Sequence, residues 1–441
     1  MTHSLESVTT AESADAAPSA CDNQPSTVTN TLSPLDSLKA RLKEDRITRL
    51  ALLFLDRRPE MHLKDQICDG LEDGRRMTML GHNVWNFGSD SFLGLDRHPK
   101  VQQAMIDALP TWGTHNGASR AFNSVALCDE AELRVAKWLG VENTLIYPSV
   151  TLTNVGLIPG LVGPGDLVVV DRLSHDSVHQ GVKLASANGA KVRILQQCRG
   201  DLLKEVLQSE TYKSAIFCID GVYSMTGEIP PLKELYDATQ AVPNCTMYVD
   251  DAHGTGVVGP NGRGAAASVF GELNDILMIG SLSKGFSCMG GFVTCGTELR
   301  RILKIRSSTF IFGGPVPPPY LAAIIAVCDI LESPEGKQLQ DDLHARLNQL
   351  VSGLKDMKLR VGGGVSPIVS VTIGDIDQTF TAGRWMFDRG FYVQSATYPA
   401  VPIQGGLLRI QVNANHSEQS INELLNAFSD LRQVMKLPTV A

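Results

Sequence analysis

The residues of this chain best suited to chemistry begin with the run Gly280-Ser281-Leu282-Ser283-Lys284-Gly285. A lysine among small hydroxyl residues and glycines suits a Schiff base with an aldehyde cofactor. The glycines let the backbone come close, the hydroxyls can hold a phosphate, and a desolvated amine is nucleophilic. Pyridoxal phosphate is the cofactor this suggests; the plainer description is a surface lysine after a strand. Asp250 can pair with a pyridine nitrogen and keep it protonated, so that the ring accepts electrons from a carbanion. His253, three residues on, can hydrogen-bond the ring's phenolic oxygen or Asp250 itself. His175 can stack on the ring face, while Ser224 and Ser281 offer hydroxyls to oxygen and phosphate groups. Taken singly, such a histidine also fits a structural role and such an aspartate a helix cap.

The elements that must position these residues make them a set. Between about residues 127 and 290 the pattern alternates helix and strand, with short Val- and Ile-rich strands expected at 144–147, 167–170, 191–195, 215–219, 246–249 and 276–279. Strands of this kind, separated by helical patterns, imply a mostly parallel sheet covered on both faces, hence an α/β fold. His175 follows the strand ending at Val170 and Ser224 the one ending at Ile219. Asp250 and His253 follow Val249, and Lys284 follows Ile279. Four parallel strands thus deliver imidazole, hydroxyl, acid and amine to one edge of one sheet, where open α/β sheets bind ligands.

The flanking chain has its own divisions. Residues 1–34 are rich in Ser, Thr, Ala and Asp and read as a disordered tail. Residues 34–58 show a helical, amphipathic spacing suited to packing on the body or on a second subunit. A helix is expected over 99–109, then the glycine-rich loop 112–120, which can let backbone approach a ligand or simply turn. The proline run 315–319 marks a boundary. Beyond it, helices are expected at 320–331, 336–354, 379–389 and 418–434, with strands at 368–373, near Val393 and at 407–412. The expected domains are therefore the tail 1–34, a helical and extended segment 35–98, a large cofactor-binding domain 99–319 and a small C-terminal α+β domain 320–441.

Composition narrows the function classes. The chain has 441 residues, 43% hydrophobic and 20% charged, with 40 glycines and a formal charge of -8. That balance fits a loop-rich enzyme for small molecules and speaks against a general nucleic-acid binder. Its nine cysteines form no C-x-x-C pair, so we expect a reducing cytoplasm with neither a disulfide framework nor a zinc or other metal site. There is no spanning apolar stretch and no secretory pattern at the N-terminus.

Four segments together resemble the α-oxoamine synthases, a family of fold-type I pyridoxal-phosphate enzymes. They are Asp171-Arg172-Leu173-Ser174-His175, 220–227 beginning Asp220-Gly221-Val222-Tyr223-Ser224, 249–264 with Asp250-Asp251-Ala252-His253-Gly254, and Ser281-Leu282-Ser283-Lys284-Gly285. The likeness runs from about Asn86 to His416. It implies a large domain built on a mostly parallel seven-stranded sheet and a homodimer with shared active sites. It implies too that Lys284 carries the cofactor and acts as acid and base, and that Asp250 pairs with the pyridinium. His175 would stack on the ring, His253 contact its oxygen, Ser224 lie near ring or substrate, and Ser281 hold phosphate. Arg409 stands where the family grips the amino acid's carboxylate, a planar anion that a guanidinium fork suits. The implied reaction condenses an amino acid with an acyl thioester, of coenzyme A or a carrier protein, and loses carbon dioxide to give a 2-aminoketone. A lyase, aldolase or aminotransferase on the same fold, needing no thioester, and a silent partner subunit are the alternatives.

Some positions depart from the family's pattern. Val150-Thr151 replaces a glycine-aromatic pair at the phosphate, and Gly313-Gly314 stands where a hydroxyl residue commonly reaches it from the neighbouring subunit. Asp90 replaces an asparagine near the substrate and His115 a glycine. These two changes lead us to expect an atypical amino acid or acyl partner.

Overall fold

The computed structural model describes residues 32–440. The tail expected over 1–34 lies outside the described residues except for its last three. Two compact units part between Arg57 and Arg58.

The first unit differs from the single amphipathic helix expected over 34–58. Its described residues form two helices, Pro34–Glu44 and Arg46–Arg57, broken at Asp45. The Asp45 carboxylate accepts from the Thr48 backbone amide at 2.9 Å and so caps the second helix. Ser33 caps the first through Asp36 N, with Pro34 at the first helical position.

The second unit is organised by a seven-stranded sheet. In spatial order its strands are Asn143–Tyr147, Gly291–Cys295, Ile276–Ser281, Cys245–Asp250, Ala215–Asp220, Leu167–Asp171 and Lys191–Leu195. The last five in that order pair in parallel. Gly291–Cys295 runs antiparallel to both its neighbours. The six strands read from sequence are present, most of them a residue or two longer. Gly291–Cys295 was not foreseen because the pair Gly290-Gly291 reads as a turn.

Alternate residues of each strand feed opposite cores, as a two-residue side-chain period requires. Val169, Phe217, Ile219, Met247 and Val249 join Val135, Leu139 and Ile324 on one face. Val168, Val170, Cys218, Tyr248 and Ile279 join Leu157, Ile158, Val178 and Val182 on the other. The helices Ala126–Leu139 and Pro318–Leu331 thus cover the first face, and Val150–Leu161 and Asp176–Ala187 the second.

A smaller antiparallel sheet, in the order Val361–Gly363, Ile368–Gly374, Gly406–Gln411 and Gln394–Ala396, lies within the C-terminal part. The helices Pro334–Asp356, Ile376–Phe387 and Glu418–Val434 accompany it. Val393, near which a strand was expected, sits between the short strands Phe391–Tyr392 and Gln394–Ala396. Phe391–Tyr392 joins a third sheet with Cys68–Leu71, Arg76–Met79 and His82–Asn86. Among the described residues, no helix is long and apolar enough to cross a membrane.

Candidate active site

The carboxyl ends of the central strands meet at a cavity of about 230 Å3. Asp220 and Asp250 are the final residues of two neighbouring parallel strands and stand in register with each other. Both are buried. Lys284 follows the next strand, and His175 caps the helix Asp176–Ala187 just past the strand on the other side of Asp220. All four line the cavity with His253 and Ser281.

Lys284 Nζ lies 2.9 Å from His253 Nε2. Burial lowers the lysine's pKa, against the carboxylates of Asp90 and Asp250, which raise it. Burial, and then the Lys284 charge, hold His253 well below the usual histidine value. The pair therefore favours a neutral amine, the nucleophilic form, beside a neutral imidazole. His253 Nδ1 is buried without a protein partner.

The two acids are differently provided for. Asp250 accepts from Asn154 Nδ2 at 2.6 Å and from Ala252 N at 3.2 Å. Asp220 accepts from His175 N at 3.0 Å. Burial first, then the Asp250 charge, push the Asp220 carboxyl well above the usual range. Two adjacent buried carboxylates repel one another's charge, and here that repulsion and burial act on Asp220 in the same direction. Next to them, Burial also raises Asp251 to about 7 although its Oδ2 accepts from Ala266 N.

At the other end of the cavity stands the N-terminus of Val150–Leu161. Ser149 caps it by accepting from Leu152 N at 3.2 Å. The first amides of a helix have no intrahelical acceptor, which makes this end a place for an anion. Val150 and Thr151 lie there, and across from them Ser281 Oγ and Ser283 Oγ are 3.0 Å apart. Gly291 allows the approach: a Cβ on it would stand 2.7 Å from Val150 N. A carboxylate for a ring nitrogen, a helix end with hydroxyls for a phosphate, and a desolvated amine between them fit pyridoxal phosphate.

Arg409 lies in the strand Gly406–Gln411 and is buried. Its Nε donates to the Ser224 carbonyl at 2.6 Å and its Nη1 to Gln394 Oε1 at 2.7 Å. Nη2 lies 3.5 Å from Asp90 Oδ1, which also accepts from Gln411 Nε2. Ser224 thus meets Arg409 through its backbone rather than its hydroxyl. His115 is exposed and accepts from Gly117 N at 2.9 Å. Gly313 and Gly314 lie after the short helix Ser308–Phe312, and neither they nor His115 lines the cavity.

Four site residues were not picked out from the sequence: Asn154, Ser177, Asp220 and Gln394. Asp220 had a signal, since it ends its strand just as Asp250 does. Asn154 had a fainter one, as a lone amide within an apolar helix.

Residues 82–428 match the aminotransferase class I and II family. An 8-amino-7-oxononanoate synthase of Geobacter sulfurreducens is 33% identical over 360 residues, which are 81% of this chain and 90% of the relative. Another of that name, from Trichlorobacter lovleyi, is 31% identical over 390 residues, 86% of this chain and 98% of the relative. The chain belongs to the α-oxoamine synthases. A serine palmitoyltransferase of S. paucimobilis, solved with a bound aldimine of pyridoxal phosphate and myriocin, superposes on this α-oxoamine synthase with a TM-score of 0.82. The two are 25% identical, with 88% of this chain and 99% of the other covered. An 8-amino-7-oxononanoate synthase of Francisella tularensis, 23% identical with a TM-score of 0.67 over 80% of this chain and 98% of its own, shares the fold. This α-oxoamine synthase is a pyridoxal-phosphate-dependent enzyme that condenses an amino acid with an acyl thioester, with decarboxylation, to a 2-aminoketone.

Proposed function

We propose that this α-oxoamine synthase takes a small amino acid by its carboxylate at Arg409, joins it to an apolar acyl chain, and works as a cytoplasmic homodimer. The observation that carries the reading is the position of Arg409. The guanidinium is buried, and it also lines a second cavity of about 600 Å3 walled by Leu63, Met225, Phe380, Val393 and Pro399. A volume of that size holds an extended apolar group, and the wall asks for one.

Bound pyridoxal phosphate supplies an electron sink for a carbanion at the amino acid's Cα. Lys284 Nζ takes and returns the Cα proton, its pKa lowered for the task by burial and its position held by His253 Nε2. Asp250 would pair with the ring nitrogen, and His175 would cover the ring. The helix end at Val150 and Thr151, with Ser281, would receive the phosphate. Asp90 approaches Arg409 at Nη2, while Ser224 and Gln394 hold Nε and Nη1, so the substrate carboxylate must displace Asp90 or share the fork.

The dimer is supported by what lies outside the cavity. His115 shares a loop with Phe122, which is 87% exposed, and Gly313 and Gly314 follow the short helix Ser308–Phe312, whose Phe312 is 84% exposed. The loop and the helix are tied by a hydrogen bond from Ser119 Oγ to the Ile311 carbonyl. Apolar surface of this kind marks an interface, and a partner would receive the three residues at its own cofactor. The scattered thiols support a cytoplasmic setting.

The test is product analysis with the cofactor-loaded enzyme. Carbon dioxide release should require both a small amino acid and an acyl thioester, and should be fastest with unbranched apolar chains. Decarboxylation or transamination without thioester consumption would overturn the reading.

A further inference from the structure

The helix Val150–Leu161 is apolar, yet it buries an amide completely: Asn154 is 0% exposed. Both amide N–H groups and the amide oxygen have side-chain partners. Tyr248 OH donates to Asn154 Oδ1 at 2.6 Å, while Nδ2 donates to Asp250 Oδ2 at 2.6 Å and to Ser177 Oγ at 2.9 Å. Reversing the amide would set its oxygen against the Asp250 carboxylate and leave the tyrosine without an acceptor, so one orientation is fixed. Ser177 Oγ, having accepted from Asn154, has its own proton left for His175 Nδ1 at 2.7 Å. Ser177 N also donates to that nitrogen at 3.2 Å. His175 Nδ1 therefore bears a lone pair, and the ring proton belongs to Nε2.

We propose that Asn154 is a positioning residue that governs two groups at once: it orients the Asp250 carboxylate and, through Ser177, sets the tautomer of His175. Tyr248 fixes the amide that does both. The arrangement binds three secondary elements, the strand ending at Asp250 and the helices Val150–Leu161 and Asp176–Ala187, through one side chain. Burying an amide in an apolar helix is costly unless every partner is present, and here Asp250 lines the cofactor cavity, Ser177 stands one bond behind it at His175, and Tyr248 backs the amide itself. The inference rests on the assignment of Asp250 and His175 to the cofactor; its tautomer arm is independent of that assignment.

The experiment uses holoenzyme labelled with nitrogen-15 in histidine, with His175→Gln to assign the signal. Wild type should show a pyridine-type Nδ1 and a pyrrole-type Nε2, whereas in Ser177→Ala and Asn154→Ala, where the Ser177 backbone N–H remains the sole fixed donor to Nδ1, the Nδ1-protonated fraction should rise. Asn154→Asp keeps the shape and the Tyr248 bond but sets a second acceptor against Asp250. It should raise the cofactor dissociation constant and lower kcat by about tenfold to a hundredfold, more than Asn154→Ala, with the amino-acid KM nearly constant. A role in folding alone predicts the reverse order, since alanine leaves the larger defect. A proton on Nδ1 in wild type would overturn the proposal. So would unchanged imidazole shifts in Ser177→Ala, or Asn154→Asp within twofold of wild type. Should the Asn154 variants fail to fold, Ser177→Ala decides, because it removes one oxygen and leaves the amide in place.

Discussion

Lys284 and His253 meet as two nitrogen bases in surroundings that disfavour charge on either. If Lys284 moves the Cα proton, Lys284→Ala should lower kcat by about 10²–10⁴-fold while leaving the melting temperature close to wild type. Carbon dioxide release and thermal unfolding on one preparation check this, and turnover near the wild-type rate would remove the lysine from the mechanism. Asp90 makes a contrasting prediction. It neutralises part of Arg409 through a contact of 3.5 Å, and its side chain is 41% exposed. Asp90→Asn should therefore free the fork and lower the amino-acid KM about threefold to fivefold, within the ~1 kcal/mol of a partly exposed ion pair. A KM that rises tenfold would mean instead that Asp90 itself contacts the substrate.

At the scale of elements, the helix Val150–Leu161 and the strand Gly291–Cys295 decide whether a phosphate can be held. Gly291→Ala would drive a Cβ to 2.7 Å from Val150 N, and backbone gives way only by moving the whole helix end. We expect cofactor affinity to fall about tenfold and stability by about 1–3 kcal/mol. Gly163→Ala, with open space around it, should be close to neutral in both fluorescence titration and thermal unfolding. The same two elements show what the sequence discloses. The six parallel-type strands were legible because a buried strand must be a short apolar run, and Asp250, His175 and Lys284 were legible because they follow such runs. The antiparallel strand escaped because its glycines, which permit close packing, are also what turns are made of. Asn154 escaped because its partners Tyr248, Asp250 and Ser177 are set by tertiary structure, which spacing along the chain does not report. For the same reason the break at Asp45 was missed: a capping aspartate between two helices looks like one more charge on a single helix.

The whole molecule sets the response to pH. His416 is buried, stacks on Phe87 at 4.0 Å between ring centroids, and accepts on Nδ1 from Asn413 N at 3.0 Å. Burial, and then the Arg75 charge, lower its pKa from 6.5 to about 3. Between those values the unfolded chain binds a proton that the folded one refuses. The stability from this group is thus complete above about pH 6.5 and declines toward pH 3, by about 1.4 kcal/mol per unit. Asp251, raised from 3.8 to about 7, acts in the opposite sense, since the folded chain keeps a proton that the unfolded one has released. The two slopes oppose each other over most of the acid range, so the wild-type curve conceals both. His416→Gln should be less stable than wild type at pH 7.5, with the gap closing as pH falls from 6.5. Urea unfolding at several pH values measures the gap, and one that is constant with pH would exclude the histidine as its source.

Each central strand gives alternate residues to two cores and ends on a reactive group, so the parity of the core and the height of the chemistry are one and the same count. Adding or removing a single residue within Ala215–Asp220 or Cys245–Asp250 would exchange the two cores' rows and carry the terminal acid off its level in one event. Length change can therefore be tolerated only beyond the strand tips, in the connections. Substrate preference can drift through those loops while the acids stay where the sheet's parity puts them.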